Sequence, residues 1–240
     1  MELSILAAGK SSRFKKDGIS HKCLVKINGK TLIGKIISDF RNQNISKISV
    51  ITGYNKKVLL NSINDKRLKF VHNRFYASRD MLYSFYLSIL GQKEDMIVSY
   101  SDILYSKKII TNIKKIKNKK RIVLPVLMNW EKVWQSRNKD ILEDCETLRF
   151  DKKLNLLEIG NRAKNKKEIM AQYMGIIFIP FVLKNILIEE IKKEKNNKLH
   201  ITTFLNQFLK KYKNIDIIKT NDLWYEFDDV IDYDSFIKRS

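Results

Sequence analysis

The sequence has little of what marks secreted, zinc-binding or membrane proteins. Its 240 residues include two cysteines, three histidines and two prolines. Cys23 and Cys145 are far apart and lack histidines at zinc-ligand spacing, which argues against a disulfide framework or a zinc site and favours a reducing cytoplasm. No apolar stretch approaches the roughly 20 residues that span a bilayer. We expect no signal peptide, because Glu2 is followed by only a short apolar run.

Linker sequence is also scarce. The chain has eight glycines, no Gly/Ser-rich tract and no internal repeat, and 44% of its residues are hydrophobic. A chain of this length and composition can bury one substantial core. We therefore predict a single domain over residues 1–240.

Acidic residues are far fewer than basic ones. Forty-seven Lys and Arg residues face 26 Asp and Glu residues, giving a formal net charge of +21. The lysines are spread along the chain beside Asn and Ile, as in 114–120, and no zinc-finger, RNP or helix-turn-helix pattern appears. We expect no nucleic-acid partner, and we interpret the charge as attracting small anions.

Apolar runs alternate with helix-like patterns. Strand-like segments cover 2–7, 47–52, 67–71, 95–99, 121–127 and 171–178, and helix-like ones cover 31–43, 55–63 and 79–90. Such alternation indicates βαβ units, so we predict an α/β fold with a mainly parallel sheet flanked by helices.

The rest of the chain has a different pattern. Residues 126–170 are rich in Trp, Glu, Asp and Asn, and we predict a small β-rich insertion there, an arm over the active edge of the sheet. Residues 180–212 have an amphipathic helical pattern, and 215–240 predict a strand and a short helix.

The N-terminal strand leads into a basic, hydroxyl-rich loop. Such a turn can hold a triphosphate through its N–H groups and cations. Gly9-Lys10-Ser11 looks like the end of a Walker A loop, but Ser4 stands where that motif needs glycine, which argues against a P-loop kinase or ATPase. We expect the loop to bind a nucleotide through Leu6, Ala7, Ala8, Gly9, Ser12, Arg13 and Lys22.

Carboxylates follow two further segments. Asp102 comes just after strand 95–99, and residues 224–229 carry Glu226 and Asp228, which would share one face of a strand. Three carboxylates beside a triphosphate suit Mg²⁺, the metal we expect. The alternative is capping, by Asp102 at a turn or helix start and by Asp229, Asp232 and Asp234 on the last helix.

Polar residues also join the strand at 67–71 to the following helix. Asn73, Arg79, Asp80 and Ser84 are placed to read a base edge, ribose or phosphate, since helix N-termini attract anions. Ordinary helix capping by Ser78 or Asp80 is the alternative.

The insertion and its flanks supply candidates for a second substrate. Carboxylates beside tryptophans can hold an ammonium group, and arginine can hold an anion. The expected acceptor-binding residues are Trp130, Trp134, Arg137, Glu146, Gln172 and Tyr173, with Glu143 and Asp144 nearby. The alternative for the tryptophans is a core position. The histidines, at 21, 72 and 200, lack metal spacing and are interpreted as incidental.

These pieces together resemble the cytidylyltransferase branch of the nucleotidyltransferases. The signature L-A-A-G-x-G-[ST]-R and P-K-C-L matches here except that Ser11 replaces the second glycine and His21 replaces the proline. The branch features S-Y-S-D-I, W…R…L-E-D-x-E-T-L, E-I-G, Q-Y-x-G and W-Y-E-x-D lie at 99–103, 134–148, 158–160, 172–175 and 224–228. Asp80 departs from the asparagine common in relatives.

The resemblance implies a Rossmann-like fold and Mg²⁺-dependent transfer of CMP from CTP to a small phosphate or phosphonate, with release of pyrophosphate. It implies catalytic roles for Arg13, Lys22 and Asp102, and metal ligation by Asp102, Glu226 and Asp228. Acceptors of the branch include phosphoglutamine, 2-aminoethylphosphonate and phosphocholine, which we rank in that order because the insertion offers both signs of charge. Decoration of a capsule or cell-surface polysaccharide is the expected use.

Two other functions are considered. A sugar-1-phosphate nucleotidylyltransferase would share the N-terminal loop and Asp102, and a basic nucleotide- or nucleic-acid-binding module would need no converging carboxylates. The expected partners are CTP and the acceptor, without a membrane, and a homodimer is the candidate assembly.

Overall fold

A computed structural model describes residues 1–14, 19–137, 142, 145–195 and 198–238, with only the backbone at 136 and 137. The strands are β1 Glu2–Ala7, β2 Lys26–Ile27, β3 Lys30–Thr31, β4 Ile48–Thr52, β5 Lys69–His72, β6 Met96–Tyr100, β7 Ile103–Tyr105, β8 Ile122–Leu127, β9 Glu146–Phe150, β10 Leu156–Arg162, β11 Gln172–Tyr173, β12 Ile176–Ile179, β13 Ile215–Thr220 and β14 Trp224–Glu226. The helices are α1 Leu32–Arg41, α2 Lys56–Ile63, α3 Met81–Leu90, α4 Lys107–Lys114, α5 Trp130–Arg137, α6 Lys184–Lys193, α7 Ile201–Tyr212 and α8 Val230–Ile237.

The central sheet is mixed, which confirms the predicted α/β class. β5, β4, β1 and β6 run parallel and side by side, and β12 lies antiparallel between β6 and β8. β8 also pairs in parallel with β13 and antiparallel with β11. The loops that follow β1 and β6 therefore leave adjacent strands at the same edge, where ligands bind in open α/β sheets.

Two apolar layers cover the faces of this sheet. Side chains alternate along β1, so Ile5 joins a cluster with α1 and α4, and Leu6 joins a cluster with α3, α6 and α7. Ile5, Val50 and Ile97 lie together on the first face. The helices contribute the periodic apolar residues that the sequence pattern indicates, including Phe85 and Ile89 of α3.

The predicted β-rich arm at 126–170 is only partly correct. Residues 126–127 end the central strand β8, and 130–137 form helix α5. The β-structure is the antiparallel hairpin of β9 and β10, which packs on α7. Gly160 allows this packing, because it has a φ of +81° and an added Cβ would lie 2.7 Å from the carbonyl carbon of Thr202.

Two other segments are interrupted. The helical pattern at 180–212 forms two helices, α6 and α7, which both bury apolar residues in the same cluster. The strand predicted at 171–178 breaks at Met174 and Gly175. Gly175 has a φ of +72°, and its missing Cβ leaves room for the ring of Tyr100, which would otherwise lie 2.8 Å away.

Candidate active site

The loop after β1 forms one wall of the site. Ser11 adopts a φ of +53°, the left-handed conformation that glycine favours, at the position where the resembling motif has glycine. Its hydroxyl accepts a hydrogen bond from the N–H of Lys22 at 3.1 Å, and its carbonyl accepts one from Phe14 at 2.9 Å. Lys22 begins a 3₁₀ turn, Lys22–Leu24, so the loop and this turn are tied together.

The antiparallel pair of β7 and β14 brings the C-terminal acidic residues to the same place. Glu226 pairs with Ile103, and the N–H of Phe227 donates to the carbonyl of Asp102 at 3.0 Å. Asp229 and Asp232 form a capping box at the start of α8, as the capping alternative predicts.

Asp102, Glu226 and Asp228 converge. One carboxylate oxygen from each lies within 4.8 Å of the others. Three hard oxygen donors next to a phosphate loop fit Mg²⁺, which binds carboxylates together with substrate phosphates.

Two cations contact this group. The ammonium of Lys22 forms an ion pair with Asp102 and lies 3.1 Å from an oxygen of Asp228, and Arg13 lies 3.2 Å from the same oxygen. Burial by itself would lower the pKa of Lys22, but the charges of Asp102 and Asp228 outweigh it and the pKa is raised. Lys22 therefore stays protonated at any physiological pH.

A cleft of about 170 Å³ opens beside these residues. The loop lines it with Leu6, Ala7, Gly9, Ser12 and Arg13, and Lys22, Asp102 and Asp228 line the other side. The cations of this lining can meet a phosphate, and its carboxylates can meet a metal bound to one.

A second cleft of about 120 Å³ shares Leu6, Gly9 and Met81 with the first. Its lining includes Ala8 and all four polar residues expected to read a nucleotide: Asn73, Arg79, Asp80 and Ser84. The structure thus brings the N-terminal loop and these four residues into adjoining clefts.

Individual side chains in the second cleft are held by local contacts. Asn73 donates to the hydroxyl of Ser84 at 3.0 Å and accepts from the N–H of Phe75 at 2.9 Å. Asp80 caps α3 by accepting from Met81 at 2.7 Å, so its capping alternative holds while it also lines the cleft. The guanidinium of Arg79 lies over the rings of Phe75 and Tyr83.

The expectation that Trp130 and Trp134 bind the acceptor is wrong, because both lie in the core. Trp130 and Trp134 are only 3% and 1% exposed, and Trp134 stacks on Trp224 with ring centroids 5.8 Å apart. The apolar stripe of α5 packs inward, so neither indole offers a face to a ligand. The side chain of Arg137, and Glu143 and Asp144, lie outside the described residues.

Of the other expected acceptor residues, Tyr173 contacts the lining of the first cleft, and Glu146 and Gln172 lie on β9 and β11, two strands that pack together. Tyr100 lines the cleft, and its ring packs edge-on against Tyr173. The Glu146 carboxylate accepts from the hydroxyl of Thr202 at 3.0 Å, and burial raises its pKa. Burial raises the pKa of both tyrosines, and the charge of Glu146 adds to that effect. Gln172 precedes Tyr173 in β11 and is partly buried.

Sequence reasoning missed several residues that line or adjoin the clefts: Ser11, Tyr76, Met81, Tyr100, Ser101 and two histidines. Tyr100 and His21 line the first cleft, although His21 is interpreted above as incidental. His200, which precedes α7, has its Nδ1 3.5 Å from Asp80. The strand-end position of Tyr100 was a usable signal, whereas the histidines enter through tertiary packing that no local pattern reveals.

Comparisons with known proteins identify the family of the chain. The model of the MobA-like NTP transferase domain matches residues 3–154. The CTP:phosphoglutamine cytidylyltransferase of Campylobacter jejuni is 30% identical over 258 aligned positions, covering 100% of both chains.

Solved structures share the fold. The CTP:phosphocholine cytidylyltransferase of Streptococcus pneumoniae superposes with a TM-score of 0.75 at 20% identity, covering 99% of this chain and 98% of that one. The inositol-1-phosphate CTP transferase of T. maritima gives 0.76 at 16% identity, covering 99% and 93%. A putative glucose-1-phosphate thymidylyltransferase of Bacillus anthracis gives 0.77 at 18% identity, covering 100% and 95%.

The chain belongs to the MobA-like NTP transferase family. It is an enzyme of the nucleotidyltransferase type, and the resemblance to cytidylyltransferases read from its motifs is confirmed. Among the residues that the structure describes, no helix is long and apolar enough to cross a membrane.

Proposed function

We propose that this enzyme transfers CMP from CTP to the phosphate or phosphonate of a small acceptor, releasing pyrophosphate, with Mg²⁺ as its metal. The observation that carries the proposal is the meeting of Asp102, Glu226 and Asp228 with Arg13 and Lys22 beside the first cleft. Carboxylates for a metal and cations for phosphates are the two requirements of nucleotidyl transfer.

The proposed reaction is a single displacement. An anionic oxygen of the acceptor bonds to the α-phosphorus, and the bond from that phosphorus to the bridging oxygen breaks, its electron pair leaving with pyrophosphate. The acceptor oxygen is already ionised, so no general base is required. Mg²⁺, when bound, supplies neutralisation of phosphate charge. Arg13 and Lys22 would donate hydrogen bonds to the charge that grows on the leaving group.

The nucleoside would occupy the second cleft. Its opening adjoins the first cleft at Leu6, Gly9 and Met81, so one nucleotide can extend through both. Asn73, Ser84 and Asp80 would then face the base or ribose, and Arg79 the sugar or a phosphate. The name of the Campylobacter jejuni relative supports CTP as that nucleotide.

For the acceptor we propose phosphoglutamine-like compounds first, then 2-aminoethylphosphonate, then phosphocholine. Glu146 is a carboxylate whose pKa burial raises, and a buried charge is best compensated by a cation. An acceptor ammonium lying between Glu146 and the hydroxyl of Tyr173 would supply that cation. The name of the 30% identical relative supports the first rank. We further propose that the product is used to decorate a capsule or cell-surface polysaccharide.

A sugar-1-phosphate acceptor is the competing proposal, since one structural neighbour is a putative glucose-1-phosphate thymidylyltransferase. A neutral sugar gives Glu146 no cation, and we therefore rank it below the ammonium-bearing acceptors.

Measuring pyrophosphate release by the full chain tests which nucleotide and which acceptor the enzyme uses. CTP, UTP, ATP and dTTP are each combined with phosphoglutamine, 2-aminoethylphosphonate, phosphocholine and glucose 1-phosphate, with Mg²⁺ present or chelated. We expect turnover with CTP and Mg²⁺, fastest with phosphoglutamine. Preference for a sugar phosphate, or a more than tenfold advantage for phosphocholine, would overturn the acceptor assignment.

A further inference from the structure

The ammonium of Lys22 lies where the three carboxylates converge. It forms an ion pair with Asp102 and lies 3.1 Å from Asp228, and the charge of Glu226 also acts on it. The side chains of Lys22, Asp102 and Asp228 are only 22%, 9% and 14% exposed. Water therefore screens this group weakly, and the carboxylates need a cation close to them.

We propose that Lys22 is the internal counter-ion of this carboxylate group and is exchanged for the metal only when a nucleotide arrives. This inference rests on the metal site proposed above. A divalent ion and the ammonium compete for oxygens of Asp102 and Asp228, so Lys22 weakens the binding of a free metal ion. A triphosphate in the first cleft offers the ammonium a second set of anions and removes that competition.

The fixed main chain and flexible side chain of Lys22 allow such an exchange. Its main chain is held by the hydroxyl of Ser11 and by the 3₁₀ turn, and the neighbouring Cys23 is buried. Lysine has a flexible four-carbon stem, so the ammonium can move while the backbone stays fixed. The same residue lines the cleft beside Gly9 and Ser12, where phosphates would lie.

Arg13 is not the counter-ion of the carboxylate group. Among the residues that the structure describes, Arg13 contacts the carboxylate group through Asp228 alone, at the same oxygen as Lys22. Its side chain is 68% exposed, so solvent screens its charge far more. Lys22 is therefore the residue that competes with metal, and this competition gives the enzyme an order of binding, in which metal enters with, or after, the nucleotide.

Binding of Mn²⁺ to the full chain, followed by the electron paramagnetic resonance of the free ion, tests the exchange. The chains are wild type, Lys22→Met, Lys22→Arg and a matched control, Lys35→Met. Lys35 pairs with Asp39 at 2.6 Å within α1, so the control loses the same charge elsewhere. Each is measured alone and with α,β-methylene-CTP, which does not react.

We expect free Mn²⁺ to bind Lys22→Met at least tenfold more tightly than it binds wild type, Lys22→Arg or Lys35→Met. The nucleotide analogue should tighten Mn²⁺ binding to wild type at least tenfold and to Lys22→Met by much less. Equal binding of free Mn²⁺ to wild type and Lys22→Met would overturn the exchange. Absence of Mn²⁺ binding to wild type even with the analogue would instead overturn the metal site.

Wild type alone gives a second measurement that does not depend on the folding of a variant. Titration calorimetry compares Mn²⁺ added before the analogue with Mn²⁺ added after it. We expect weak binding in the first order and tight binding in the second. Equal affinities in both orders would contradict the proposal.

Discussion

The N–H of Phe227 donates a 3.0 Å hydrogen bond to the carbonyl of Asp102, joining two residues 125 positions apart. This bond continues the pairing of β14 with β7 by one residue and places Glu226 and Asp228 on either side of it. The carboxylate that follows the central sheet and those near the end of the chain are thereby held in one group. Folding of the C-terminal segment is thus a requirement for the site.

Asp102→Asn should nearly abolish turnover, by at least about a hundredfold, and leave the fold intact. The substitution is almost isosteric but removes a charge from the proposed metal site. Turnover at saturating Mg²⁺ and the thermal unfolding midpoint are to be measured together, with Glu226→Gln and Asp228→Asn compared to rank the other ligands. A near-normal rate for Asp102→Asn would remove Asp102 from the mechanism.

Arg13→Ala and Lys22→Ala should each lower kcat/KM at least tenfold, about 1.4 kcal/mol of transition-state stabilisation. Both cations are placed to meet charge that develops as pyrophosphate leaves. We expect the larger loss for Lys22, because it is far less exposed than Arg13 and its charge is less screened. Steady-state kinetics with each substrate varied is the check. A change confined to the acceptor KM would show that the residue has another role.

Ser11 should tolerate glycine better than alanine. Its left-handed backbone costs alanine about 1–2 kcal/mol and glycine very little, while either change removes the hydrogen bond to Lys22. Urea unfolding should therefore show Ser11→Gly close to wild type and Ser11→Ala clearly destabilised. If the two variants are equally stable, the strain at this position is not what the φ of +53° indicates.

The predictable part of the fold came from local periodicity. The strands around Ile5, Val50 and Ile97 were readable because the segments are short, apolar and separated by helical stripes. Residues that follow strands were predictable site candidates for the same reason, as with Asp102.

Tertiary packing decided what the sequence pattern did not show. The sequence around Trp130 and Trp134 is compatible with an ammonium-binding cage and with a core position. Only the packing of the two rings, including the stacking of Trp134 on Trp224, shows that they belong to the core. The division of the pattern at 180–212 into α6 and α7 was not predicted either, and both helices bury residues such as Leu187 and Leu205 in one cluster. His21 reaches the cleft through a loop whose path no periodicity fixes.

Glu146→Gln should stabilise the protein at pH 7. Burial raises the pKa of Glu146 in the folded state above its unfolded value, so its contribution to stability is present at pH below the unfolded pKa of about 4.3 and is lost as the pH rises through the folded value. Glutamine does not titrate, and its carbonyl can still accept the bond from Thr202. Urea unfolding at pH 7 and pH 4 should show a gain in the free energy of unfolding at pH 7 that shrinks at pH 4.

The same variant should lose affinity for the acceptor, because the proposed role of Glu146 is to bind an ammonium with its charge. We expect the acceptor KM to rise at least tenfold while the KM for CTP stays within about twofold. Glu190→Gln is the matched control, since that carboxylate pairs with Lys193 and Lys211 on the surface, away from the clefts, and should leave both KM values unchanged. A gain in stability without any change in the acceptor KM would place Glu146 outside the acceptor site. A loss of stability at pH 7 would show instead that the ionised carboxylate is compensated within the fold itself.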